Sequence, residues 1–211
     1  MSTAKYILHY FKFRCKAEPA RLVLHAANVP FQDHRIEDEE WPAMKPKMPM
    51  GQLPVLELVE SGELLCQGTA IARYLANEFG LVGDSAWDKA LADAYAQGIY
   101  DLWVPIAPVY TAKLDGNTQE QAKEWAKFAK ESLGPVLEQY SAFLAKSSSG
   151  WLVGAKMSWA DLVLAEFLNC MEECFCAEAL QGYPQLKQFV AKVFDVPGVK
   201  EHVQSRPKDL F

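Results

Sequence analysis

The chain has 211 residues, half of them hydrophobic, and carries 21 Lys and Arg against 27 Asp and Glu for a net charge of −6. That is ample for a packed core, as one large domain or two small ones, and the acidic balance without long single-sign runs argues against nucleic acid or an anionic membrane surface as a partner. The polar start Met1-Ser-Thr-Ala-Lys5, followed by only a short apolar run, predicts neither a signal peptide nor a transmembrane span.

Lys5 to Phe11 alternates apolar and polar and reads as a first strand ending near Tyr10. After a loop, Glu18-Pro19 opens a helix to about Asn28, with Leu22, Val23 and Ala26 on its buried face and Val29-Pro30 as its stop. Phe31 to Ile36 is a second strand, followed by an acidic run, Trp41-Pro-Ala-Met-Lys45, and a proline-rich loop. Pro54 introduces a strand at Val55, Leu56 and Leu58, Ser61-Gly62 turns the chain, and Leu64-Leu65 makes a fourth strand. A helix begins near Gln67, its apolar positions Ile71, Tyr74, Leu75 and Phe79 at helical spacing. A proline that starts a strand has no N–H and tolerates a cis bond, which would turn the Leu53 backbone outward as an unpaired edge. An outward edge beside a helix N-terminus suits a small anionic peptide.

Strand signals stop after Gly80 to Ser85. The expected division is therefore a domain over 1–79, a linker over 80–85 and a helical domain over 86–211. Leu91, Tyr95, Ile99, Leu102 and Ile106 form one helical stripe that Pro105 and Pro108 should kink, and a second helix spans about Thr118 to Lys146. Ser158 and Asp161 predict a capping box, with Met157 and Leu162 as its hydrophobic staple. The five cysteines, an odd number without a leader, predict reduced thiols; Cys170, Cys174 and Cys176 lack partners for a metal site.

Gly51-Gln52-Leu53-Pro54-Val55-Leu56-Glu57, followed by Gln67-x-x-Ala70-Ile71-x-Arg73-Tyr74-Leu75, resembles the glutathione-binding signature of the cytosolic glutathione transferases, and the first strand and loop look most like the sigma class. The resemblance covers essentially the whole chain. It implies an α/β thioredoxin-like N-terminal domain without the usual Cys-x-x-Cys, joined to an all-α C-terminal domain. It also implies glutathione as cosubstrate, no metal, a cytoplasmic homodimer, and apolar electrophiles as second substrates. Prostaglandin isomerisation on the same thiolate, or a crystallin-like or ligand-carrying homologue with weak catalysis, are the alternatives.

Such an enzyme must hold a thiolate near pH 7, where a free thiol of pKa about 8.5 is mostly protonated. Tyr10 matches the family tyrosine that donates to the glutathione sulfur; a charge-assisted bond of about 1.5–3 kcal/mol would lower the thiol by about one to two units. Lys16 falls where sigma-like members often carry arginine. Cys15 replaces a glycine, as either a redox thiol or a small half-buried side chain. The resemblance assigns Trp41 and Lys45 to the glycyl carboxylate, the Leu53 backbone beside Gln52 and Pro54 to the cysteinyl unit, and Gln67, Gly68 and Thr69 to the γ-glutamyl end. It further assigns Asp101, from the neighbouring subunit, to the γ-glutamyl amine. Gly68 stands where serine is common, so Gly68→Ser is expected to tighten glutathione about threefold to tenfold unless the backbone there demands glycine. Phe13, Ile106, Val109, Tyr110 and Phe211 are the expected electrophile wall.

Overall fold

The structure is a computed structural model that describes residues 4–207. Of these, residues up to Val82 and from Val193 onward make one compact unit, and Gly83–Lys192 make the other.

In the first unit β1 (Tyr6–Phe11) lies between β2 (Phe31–Ile36), parallel to it, and β3 (Val55–Leu58), antiparallel, with β4 (Leu64–Cys66) outside β3. Helix α1 (Glu18–Ala26) is the crossover between β1 and β2 that parallel neighbours require. It packs on α3 (Gly68–Glu78), and the short α2 (Trp41–Met44) sits between β2 and β3 in sequence. Alternation along β1 sends Leu8 into a core that holds Leu22, Leu24, Leu56, Ile71 and Leu75, all without exposed surface. The β1–β3 register runs from Tyr6 opposite Leu58 to His9 opposite Val55. Tyr10 is therefore one step past the last pair, level with Pro54.

The second unit holds α4 (Ala86–Tyr100), α5 (Ala107–Leu114), α6 (Thr118–Phe128), α7 (Gly134–Lys146), α8 (Trp159–Cys170) and most of α9 (Pro184–Phe194). The expected kink near Pro105 appears as a break between α4 and α5, bridged by a 3-10 turn over Asp101–Trp103. The expected single helix over 118–146 carries a π turn at Ala129–Leu133, closed by the Gly134 N–H donating to the Ala129 carbonyl. Pro135 explains it: proline lacks an N–H and crowds the carbonyl four residues back, and the wider turn relieves both. Buried α8 starts at the predicted capping box, where Ser158 N–H donates to Asp161 Oδ2 at 2.7 Å, Ser158 hydroxyl to the same oxygen at 2.8 Å, and Leu152 N–H to Oδ1 at 2.8 Å.

The chain returns to the first unit with α10 (Val199–Ser205), which packs on α1. Gly198 allows the approach: its φ is +83°, and a Cβ there would lie 2.1 Å from the His25 carbonyl oxygen. Among the described residues no helix is long and apolar enough to cross a membrane.

Candidate active site

The carboxyl end of β1 brings Tyr10 against the 3-10 turn Cys15–Ala17 that leads into α1. Tyr10 is 6% exposed. Its hydroxyl is hydrogen-bonded to the Cys15 thiol, and the Lys16 N–H donates to it. Burial and then Cys15 push the phenol well above its ordinary range, against the smaller pull of the Lys16 N–H and the Arg21 charge. The group thus stays a neutral O–H at pH 7, fit to donate to an anion rather than to act as a base.

Cys15 sits at φ +37°, a left-handed conformation that L residues avoid, which is the physical reason a glycine is expected there. Gln67 is also left-handed, at φ 76° and ψ 114°, immediately before α3. Its amide Nε2 lies 3.5 Å from Gln52 Oε1 and from Met50 Sδ. The first intrahelical bond of α3 is Ile71 N–H to the Gln67 carbonyl, so the N–H groups of Gly68 and Thr69 lie outside the helical ladder. The Leu53–Pro54 bond is cis.

Gly68 corrects the expectation about its own substitution. Its φ is ordinary, but a Cβ would come 2.5 Å from the Lys16 carbonyl oxygen, a contact that real side chains do not make. Glycine is required by close approach of α3 to the Cys15–Ala17 turn, and a serine there meets backbone rather than open space.

The half-buried Trp41 packs edge-on against Phe11, ring centroids 5.5 Å apart. Lys45 is exposed, its stem beside Gly51. Tyr10, Lys16, Gln52, Leu53, Pro54, Gln67, Gly68 and Thr69 thus gather where β1 and β3 part and α3 begins. In the second unit Asp101 is exposed and accepts a bond from Gln97 Nε2 at 2.7 Å.

The electrophile wall needs correction. Ile106 and Val109 have no exposed surface and belong to the core of the second unit, because the inward face of α5 that made them look like a cleft wall is the face that packs. Phe13 and Tyr110 are half-buried and offer surface, and Val104, which the sequence did not single out, is 79% exposed. Phe211 lies outside the described residues. None of the five cysteines is in a disulfide, and the described residues contain no group of three His, Cys, Asp or Glu able to hold a metal ion.

Two clusters were not anticipated. His9 on β1 bridges Glu57 (Nε2 to Oε2, 2.9 Å) and His34 (Nδ1 to Nδ1, 2.9 Å) across three strands. Beneath Tyr10, Glu18 and Arg21 form a buried ion pair at 3.0 Å. The i, i+3 spacing of Glu18 and Arg21 on a helix was the available signal for the second cluster; nothing local pairs His9 with residues 25 and 48 positions away.

A four-stranded mixed sheet with its helices, followed by an all-helical unit, is the two-part architecture of the glutathione transferase fold. Residues 7–77 match the family model "Glutathione S-transferase, N-terminal domain" and residues 101–206 match "Glutathione S-transferase, C-terminal domain". The chain belongs to the glutathione S-transferase family, and it is an enzyme of that family. It is 39% identical over 210 residues to glutathione S-transferase 1 of Ascaris suum, a match covering 98% of this chain and 99% of the relative. Among solved structures, monomeric Na-GST-3 of the hookworm Necator americanus matches with a TM-score of 0.91 and 32% identity over 99% of this chain and 100% of that one. A Nu-class transferase of Haemonchus contortus matches at 0.87 and 33% over 98% of both chains, and prostaglandin synthase D of Nilaparvata lugens at 0.84 and 30% over 96% and 99%.

Proposed function

We propose that this enzyme conjugates the glutathione thiolate to apolar electrophiles, with the Tyr10 hydroxyl as the donor that stabilises the sulfur anion. The observation that carries the reading is the state of Tyr10: buried, held neutral, and sited where the β1–β3 pairing ends. One hydrogen bond to a charged sulfur, at about 1.5–3 kcal/mol, is enough to bring a thiol of pKa about 8.5 to near 7. The thiol proton passes to solvent and the sulfur attacks the electrophilic carbon; in a substitution the leaving group departs with its bonding pair, and in an addition the displaced π pair stays on the product and takes a proton from solvent.

In this reading Lys16 supports the anion by charge, and Trp41 and Lys45 receive the glycyl carboxylate. The Leu53 backbone between Gln52 and Pro54 pairs with the cysteinyl unit; Gln67 and the N–H groups of Gly68 and Thr69 take the γ-glutamyl end. These glutathione contacts all belong to residues 1–79, and Phe13, Tyr110 and Phe211 are the proposed electrophile contacts. The working unit is a cytoplasmic homodimer in which Asp101 of one copy completes the other copy's site. The motif details favour a sigma-class detoxification enzyme.

The test is Tyr10→Phe. Glutathione affinity should stay within about threefold while turnover with a chlorodinitrobenzene-type electrophile falls about 10- to 100-fold, because the hydroxyl matters once the sulfur is charged. An unchanged thiolate absorbance and rate would remove Tyr10 from the mechanism. The likeness to a prostaglandin synthase favours a second reading, isomerisation of a prostaglandin endoperoxide by the same thiolate. Product analysis with that substrate separates the two.

A further inference from the structure

The buried cluster under Tyr10 runs from one end of the chain's sequence to the other. Glu18 has no exposed surface. Its Oε1 accepts from His202 Nε2 at 2.7 Å and from Arg206 Nη1 at 2.9 Å, while its Oε2 accepts from Arg21 Nη1 at 3.0 Å. Arg21, equally buried, also donates from Nη1 to the Phe13 carbonyl at 3.0 Å and from Nε to Asp33 Oδ1 at 3.0 Å, and its guanidinium carbon lies 5.9 Å from the Tyr10 ring centroid. Asp33 is shared with Arg35 at 2.8 Å. A planar guanidinium held at three points cannot slide or rotate as a lysine would.

We propose that α10 and Arg206 position the active site. Through Glu18 they fix Arg21, and Arg21 fixes both the Phe13 carbonyl, in the loop after β1, and the ground beneath the Tyr10 ring. The Tyr10 hydroxyl is thereby aimed, and a fixed cation stays close to it. Arg21 and Arg206 are positioning residues here, acting through Tyr10. The charge balance supports the arrangement: burial alone would raise the Glu18 carboxyl, yet the His202 bond and the charges of Arg21, His202 and Arg206 hold it well below the usual range, so the anchor for Arg21 is an ionised carboxylate. Removing Arg206 leaves that carboxylate with His202 and Arg21, and it draws Arg21 harder, at the expense of the Phe13 carbonyl.

The inference rests on the Tyr10 reading above. Its test uses the full chain with Arg206→Met and the charge-keeping Arg206→Lys, beside Tyr10→Phe as control. The readouts are the absorbance titration of the bound glutathione thiol, turnover against KM, and thermal melting. Arg206→Met should raise the bound thiol pKa by about half a unit to one unit and cut turnover about threefold to tenfold at pH 6.5, with KM for glutathione within twofold; Arg206→Lys should recover most of both. If Arg206→Met fails to fold, His202→Phe, which keeps the stack on His25 at 4.1 Å but removes a donor to Glu18, is read the same way. A lowered melting temperature with unchanged thiol pKa and turnover would overturn the proposal and leave α10 as a brace. If Tyr10→Phe itself leaves the thiol pKa unchanged, the Tyr10 reading fails first.

Discussion

Two residues at the Cys15–Ala17 turn are constrained in opposite ways. Gly68 lacks space: a side chain would press on the Lys16 carbonyl, so Gly68→Ser should displace that turn and weaken glutathione binding, read by calorimetric titration, with stability falling by about 1–3 kcal/mol. Equal or tighter binding would show that the turn yields freely. Cys15 has space but the wrong dihedral for a side chain, at φ +37°. Cys15→Gly should therefore relieve about 1 kcal/mol of strain and raise the melting temperature by about 2–4 °C for a chain of this size. It also frees the Tyr10 hydroxyl from its thiol partner, so the bound glutathione thiol should titrate lower in the same variant.

At the scale of elements, the capping box of α8 and the packing of α1 against α10 titrate in one window with opposite signs. Burial pushes Asp161 up to about 6, against the donors from Leu152 and Ser158. Its folded pKa exceeds the unfolded value near 3.8, so the fold binds that proton more tightly and loses stability as pH rises from about 4 to 6. His25 is pushed down to about 4, by burial and then by the His202 charge, against Glu18 and Asp33. Its contribution is complete above pH 6.5 and is lost as pH falls to about 4, a loss of about 1–2 kcal/mol for a half-buried ring. Melting curves from pH 4 to 6.5 should be nearly flat in the parent chain. His25→Phe should melt higher at pH 4 than at 6.5, and Asp161→Asn should show the opposite slope, on top of a loss of about 1–3 kcal/mol from its unmatched donors. Parallel curves in all three proteins would disprove both assignments.

The same elements show how far a sequence reaches. The four strands, α1, α3 and the Ser158–Asp161 box were legible because each is a local signal: alternation, a proline at a helix start, a polar residue three before an acid. The π turn before Pro135 was missed, because the helix over 118–146 was read straight through that proline. Ile106 and Val109 show why an apolar stripe cannot distinguish a cleft wall from a core, as both demand the same residues. The Glu18 cluster was hidden because its partners are 184 and 188 positions away in sequence, and His202 and Arg206 look like the polar punctuation of a tail.

For the whole molecule, the grouping of residues from Val193 onward with residues up to Val82 makes the second unit, in sequence, an insertion within the first. A fragment ending near residue 85 should then be far less stable than the full chain, because Glu18 would lose His202 and Arg206 and leave a buried carboxylate under-compensated, a cost of about 3–5 kcal/mol. Chemical denaturation of the fragment and the full chain measures this, and equal midpoints would refute it. Synthesis runs in one direction, which gives the arrangement an asymmetry in time. The sheet that carries Tyr10 leaves the ribosome before His202 and Arg206, which compensate its buried acid. The helical unit can close while the older half waits. A nascent chain of this protein therefore carries Tyr10 before it carries the residues proposed to aim it, and a product stalled before Arg206 lacks that support.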